Sequence, residues 1–103
     1  MKAIISERAI GTWLRKECTN RGYKIIKLNP ADYTGIPDRM ILTTDGRTLY
    51  VELKSQGATL RPMQNAWKEW LIVHKHSYMV IDHVDDVNVD SILAFLCGGV
   101  QNI

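Results

Sequence analysis

Asp38, Glu52 and Lys54 are the three side chains whose types and spacing could do chemistry together. Lys54 follows Glu52 by two positions, and residues two apart on a strand share a face. Asp38 is distant in sequence, but the stretch between predicts a hairpin. Apolar-rich runs from Arg39 to Thr43 and from Thr48 to Leu53 flank the step Asp45-Gly46, a pair favoured in tight turns between strands. An antiparallel hairpin sets the start of its first strand beside the end of its second. Asp38 is therefore expected next to Glu52 and Lys54, with Tyr50 on their face and Val51 and Leu53 on the other. Two carboxylates and an ammonium at one point suit a hard divalent cation such as Mg²⁺, which takes oxygen ligands and keeps several waters. Two acids leave that shell unfilled, so a substrate phosphate could complete it. Lys54 would orient or help deprotonate a water, or steady charge on a phosphoryl oxygen. A Glu and a Lys on the solvated face of a hairpin are also ordinary surface residues.

Elements on either side must position these groups. Ser6 reads as an N-cap that places Glu7 in a first helical turn, where a carboxylate is favoured. Ala9, Ile10, Trp13, Leu14 and Cys18 recur at helical spacing, and Asn20-Arg21-Gly22 is a stop signal. Tyr23 to Leu28 reads as a strand, and Asn29 to Gly35 as a loop on which Asp32 and Tyr33 are candidates to touch substrate. Pro37 stiffens the approach to Asp38 by fixing its own φ and restricting Ile36. Gly35 permits close backbone passage.

Beyond Lys54, Ser55 to Thr59 is a polar turn, with Thr59 the expected cap of the next helix and Pro62 in its first turn. Met63, Ala66, Trp67, Trp70 and Leu71 form its apolar stripe, His74 is its expected end, and Gln64 stands one position off the stripe. Ser77 to Asp82 reads as a strand inside the sheet. Asp90 is the expected cap of a last helix, Ser91 to Cys97, closed by Gly98-Gly99. A hairpin followed by a helical crossover predicts three antiparallel strands and a fourth that is parallel to its neighbour. The fold class is α/β, a mixed sheet flanked by helices in the order α-β-β-β-α-β with a short final helix.

The stretch from Gly35 to Gln64 resembles the signature of the PD-(D/E)xK nuclease superfamily, and within it the VRR-NUC (virus-type replication-repair nuclease) family. Pro37-Asp38 matches the PD element, Glu52-Leu53-Lys54 the ExK element, and Gln64 the glutamine that trails it in the following helix. Glu7 is similar to the acid that many members carry in their first helix. The resemblance covers nearly the whole chain and implies a single restriction-endonuclease-like domain over residues 1–103. It implies metal-dependent hydrolysis of phosphodiester bonds in DNA, with Asp38, Glu52 and the Leu53 carbonyl holding Mg²⁺ or Mn²⁺. Glu7 would support that ion or a second one. Without the resemblance Glu7 is simply a helix-terminal acid. Lys54 would assist the attacking water, and Gln64 would hold that water or the phosphate. Small phage-type members look like homodimers acting on four-way junctions, so a homodimer on branched DNA is the finer expectation. The apolar stripe bearing Trp67 and Trp70 offers the dimer surface. The rival reading is a non-catalytic DNA-binding module that keeps the fold.

Composition fits this reading. The chain has 103 residues, of which 46% are hydrophobic, enough for one core. It has no apolar run of membrane-spanning length and no signal-peptide pattern at its start. Cys18 and Cys97 lie in apolar helical patterns without metal spacing and read as buried free thiols, which fits an intracellular, cytoplasmic location. His74, His76 and His83 lack the companions of a zinc site. All 13 Lys and Arg lie at or before Lys75, while the last 28 residues carry four aspartates and no Lys or Arg. That asymmetry suits a nucleic-acid face on one side only. Contacts to the backbone, or to a distorted shape, are expected rather than reading of a long base sequence.

Overall fold

Ser6 caps the first helix, its Oγ accepting a hydrogen bond from the Ala9 N–H at 3.0 Å. The computed structural model describes residues 6–28 and 33–98. The loop expected over Asn29 to Asp32, any substrate contact of Asp32, and the part of Gly99 in the last helix end lie outside the described residues. Helix α1 (Glu7–Asn20) buries Ile10, Leu14 and Cys18, which fall at i, i+4 and i+8, while Ala9 is exposed. Arg21 and Gly22 close it, with Gly22 at φ +78°.

Strands β1 (Lys24–Lys27), β2 (Arg39–Leu42) and β3 (Thr48–Leu53) follow, then α2 (Pro62–Val73), β4 (Ser77–Ile81) and α3 (Val89–Cys97). The sheet order is β1-β2-β3-β4, with the first three strands antiparallel and β4 parallel to β3. The mixed α/β architecture is therefore the expected one. The hairpin turns at Gly46, whose φ of +87° a residue with a Cβ rarely adopts. Beside it, Arg47 donates to Asp45 Oδ2 at 2.9 Å and to the Leu96 carbonyl at 2.8 Å. One hairpin arginine thus holds the end of α3.

The two faces of the sheet have different work. Ile41, Leu49, Val51, Leu53 and Ile81 are buried in one cluster with Ile10 and Leu14 of α1 and with Ile92, Phe95 and Leu96 of α3. Each such aliphatic side chain contributes about 1.5–3 kcal/mol when fully buried. The opposite face carries Tyr50 and Glu52 and is covered by α2.

Four local expectations change. Strand β4 lies at the sheet edge rather than inside it. Its residues are half-buried except for the buried Ile81, so an apolar run here does not mark a central position. Helix α2 begins at Pro62 with Arg61 at the cap position, and Thr59 is an exposed loop residue. Proline at the first helical position sets the start. Helix α3 begins at Val89 after Asn88, and Asp90 sits in its first turn. Asp85 prepares that start, its Oδ1 accepting from the N–H groups of Val87 and Asn88 at 2.9 and 3.0 Å. Cys18 is buried, but Cys97 is exposed at the last turn of α3.

Candidate active site

The β2–β3 register pairs Arg39 with Val51, so one step further along the ladder sets Asp38 across from Glu52. Two bonds fix Asp38 there. Its carbonyl accepts from the Leu28 N–H at 2.8 Å, extending the β1–β2 ladder, and its Oδ2 accepts from the Leu53 N–H at 3.0 Å. Pro37 before it is buried. Gly35 lets the incoming loop press against the start of α2: a Cβ at this position would lie 2.6 Å from the Met63 carbonyl carbon. The same contact seats the helix that carries Gln64.

Glu52 is only 1% exposed, so it is no surface decoration. Its Oε2 accepts from Gln64 Nε2 at 3.0 Å. Its Oε1 is buried with no hydrogen-bond partner among the described residues. Burial pushes its carboxyl up from the ordinary 4.5 to about 8. The neighbouring Asp38 carboxylate adds to the rise, Lys54 opposes it, and Glu7 adds a smaller push. Two facing acceptors satisfy nothing until a proton or a cation lies between them. The pair therefore fits a divalent cation, although among the described residues no group of three or more His, Cys, Asp or Glu side chains is arranged to hold a metal.

The remaining expected residues take distinct places. Leu53 points its side chain into the opposite core while its N–H holds Asp38. Lys54 is half-buried, and its N–H donates to the Ile81 carbonyl at 3.1 Å. Glu7 is exposed in the first turn of α1 and does not complete a three-acid cluster. Both ends of the Gln64 amide make a bond inside the protein, Nε2 with Glu52 and Oε1 with the Arg61 N–H at 2.8 Å. Its second N–H and second lone pair are not used by these bonds. Tyr33 is exposed and packs its ring edge-on to Trp67, with centroids 6.0 Å apart.

Tyr78 is a site neighbour that the sequence did not single out. It pairs with Tyr50 and so lies on the face of Glu52. Its phenol is pushed well above the usual tyrosine range by burial first, then by the charges of Glu52 and Asp38. Only the parallel register of β3 and β4 brings it there, and no local pattern encodes that register.

No protein-family model matches the chain, and no curated protein matches it. Among solved structures, a chain described as "VRR_NUC domain" superposes with a TM-score of 0.76 at 19% identity, covering 87% of this chain and 96% of that one. The protein therefore has a VRR-NUC-like fold.

Proposed function

We propose that this chain, with its VRR-NUC-like fold, is a metal-dependent nuclease that hydrolyses phosphodiester bonds in DNA. The observation that carries the reading is Glu52 Oε1, a buried carboxylate oxygen without a partner beside a second carboxylate. Burying such a group uncompensated is costly, and a divalent cation is the ligand that removes the cost. Asp38, Glu52 and the Leu53 carbonyl would hold Mg²⁺ or Mn²⁺, with Glu7 in support from α1. Bound there, the ion would polarise the phosphoryl oxygen and lower the pKa of water.

The protein's own groups do the positioning. Gln64 fixes the Glu52 carboxylate, and the Leu53 N–H fixes that of Asp38. Lys54 assists the attacking water and offsets charge that develops on the phosphoryl oxygens. The oxygen of water bonds to phosphorus, the bond to the leaving strand breaks, and the leaving oxygen takes a proton. The direct test is cleavage of DNA with Mg²⁺ or Mn²⁺ and none in excess EDTA. Robust cleavage in EDTA would sink the metal mechanism.

The finer reading is a homodimer acting on branched DNA such as a four-way junction. It is supported by one side of α2, where Met63 is 51% and Trp70 50% exposed beside Ala66 and Trp67. A twofold partner would supply a cutting centre for each of two strands. Light scattering with and without a junction tests it, and a mass near 11.8 kDa in both conditions removes the dimer. A second reading, a DNA-binding module without catalysis, draws on the pairing of two acids without a third at the site among the described residues. Metal-independent binding with no cleavage of any DNA form would favour it.

A further inference from the structure

A cleft of about 470 Å³ runs between α1 and the sheet, lined by Glu7, Arg8, Gly11, Arg15, Lys27 and Arg39. Four cations face one acid in it. Among the described residues none of the four cations is in an ion pair. Lys27 and Arg39 are direct cross-strand partners, and like charges in that arrangement repel. Arg8 and Arg15 stand two helical turns apart on the facing side, about 10 Å along α1. The floor is kept open by Gly11, where a Cβ would meet Leu53 Cδ1 at 3.4 Å and Arg39 Nη2 at 3.7 Å. A glycine inside a helix costs roughly 0.5–1 kcal/mol relative to alanine. Both the repulsion and the glycine work against stability, and an extended polyanion in the cleft would relieve the first and use the space left by the second.

The cleft lies on the α1 side of the sheet, and Arg39 and Glu7 link it to the carboxylates. Strand alternation turns Asp38 toward the face of Glu52 and its neighbour Arg39 toward the cleft, and Arg39 Nη1 donates to the Asp38 carbonyl at 3.3 Å. Glu7 lines the same cleft. We infer that this cleft holds the sugar-phosphate backbone of the nucleic-acid strand flanking the phosphate to be cut, a reading that rests on the proposed nuclease function. One strand of a duplex carries a charge every ~3.4 Å along the axis, so the Arg8–Arg15 row spans on the order of three phosphates. A single small phosphate would leave most of the row unmatched. Contacts of this kind set register and orientation without reading bases.

The test is fluorescence anisotropy with a labelled duplex in EDTA across a salt series, which reads binding without chemistry. Arg15→Ala with Lys27→Ala removes two exposed cations, and the slope of log K against log salt is expected to shrink by about 1–2. Lys16→Ala with Lys68→Ala removes equal charge elsewhere and should leave the slope nearly as it is. Gly11→Met fills the cleft without changing charge and should weaken binding at every salt concentration. An unchanged slope in the first variant, an equal drop in the second, or undiminished binding by Gly11→Met would each overturn the cleft assignment. Polyglutamate that displaces DNA charge for charge would overturn nucleic acid as its ligand. Wild-type cleavage with Mn²⁺, measured separately, reads the nuclease function, so either proposal can fail while the other stands.

Discussion

Replacing Glu52 by glutamine keeps the shape of the side chain and removes its charge. The new carboxamide can still accept from Gln64, and its NH₂ can donate to Asp38, where two acceptors now face each other. In the metal-free protein Glu52 keeps its proton to about 8, against an ordinary value of 4.5. Between those two values the folded chain binds more protons than the unfolded chain, so stability falls as pH rises through the window. The loss is absent below the lower value and complete above the upper. At about 1.4 kcal/mol per pH unit the interval sets a ceiling of about 5 kcal/mol, of which on the order of 3 kcal/mol falls between about pH 5 and about pH 8. Urea unfolding in EDTA at both pH values, on wild type and Glu52→Gln, measures it. Wild type should lose stability on going to the higher pH, and the variant should lose much less. Titrating groups remote from Glu52 are common to both chains and cancel in the comparison, and Asp38, which titrates together with Glu52, is part of the measured effect. At the higher pH the variant should be the more stable protein, though inactive, and Mn²⁺ should stabilise wild type alone. A wild type with no excess pH dependence over the variant, or a variant less stable at about pH 8, would refute the account of Glu52 as a buried, cation-seeking acid.

Lys54→Ala should fold and bind Mn²⁺ by calorimetry yet lose ~10²–10⁴ in cleavage rate, and wild-type turnover would remove Lys54 from the mechanism. Gly35→Ala should destabilise by well over ~1 kcal/mol in urea unfolding, because its φ of +88° strains any L residue and its Cβ meets Met63 backbone. A thiol reagent at neutral pH should modify Cys97 in the native protein and reach Cys18 only after unfolding, as read by mass spectrometry. Cys18 is buried and its thiol is pushed up to about 11.

Local signals carried most of the fold. The Asp45-Gly46 turn, the Ser6 cap and the stop at Gly22 each act within a few residues, and the element order followed from them. Asp38 beside Glu52 was legible because one hairpin sets both. The misreadings share a cause in contacts between distant segments. Thr59 loses the helix start to Pro62, and nothing near Ser77 says that β4 sits at an edge. Gln64 could be singled out by type and place, but the engagement of both its amide ends depends on how α2 docks over β3. Tyr78 reaches the site through the same docking and the parallel register. The cleft of Arg8, Arg15, Lys27 and Arg39 draws on a helix and two strands, so only its overall positive charge was visible in the chain.

The bridge from Glu52 through Gln64 to the Arg61 N–H has a consequence for how this protein can grow. It pins both ends of the segment Ser55 to Leu60, making that segment a closed ring whose anchor points do not depend on its length. Residues 55–59 are exposed, and a side chain at Gly57 would meet nothing within 4 Å. Lengthening such a ring is entropically mild, about 0.6 kcal/mol for each doubling. The segment is thus a natural port for an inserted module beside the carboxylates, able to change what the protein selects without disturbing the groups that do the chemistry.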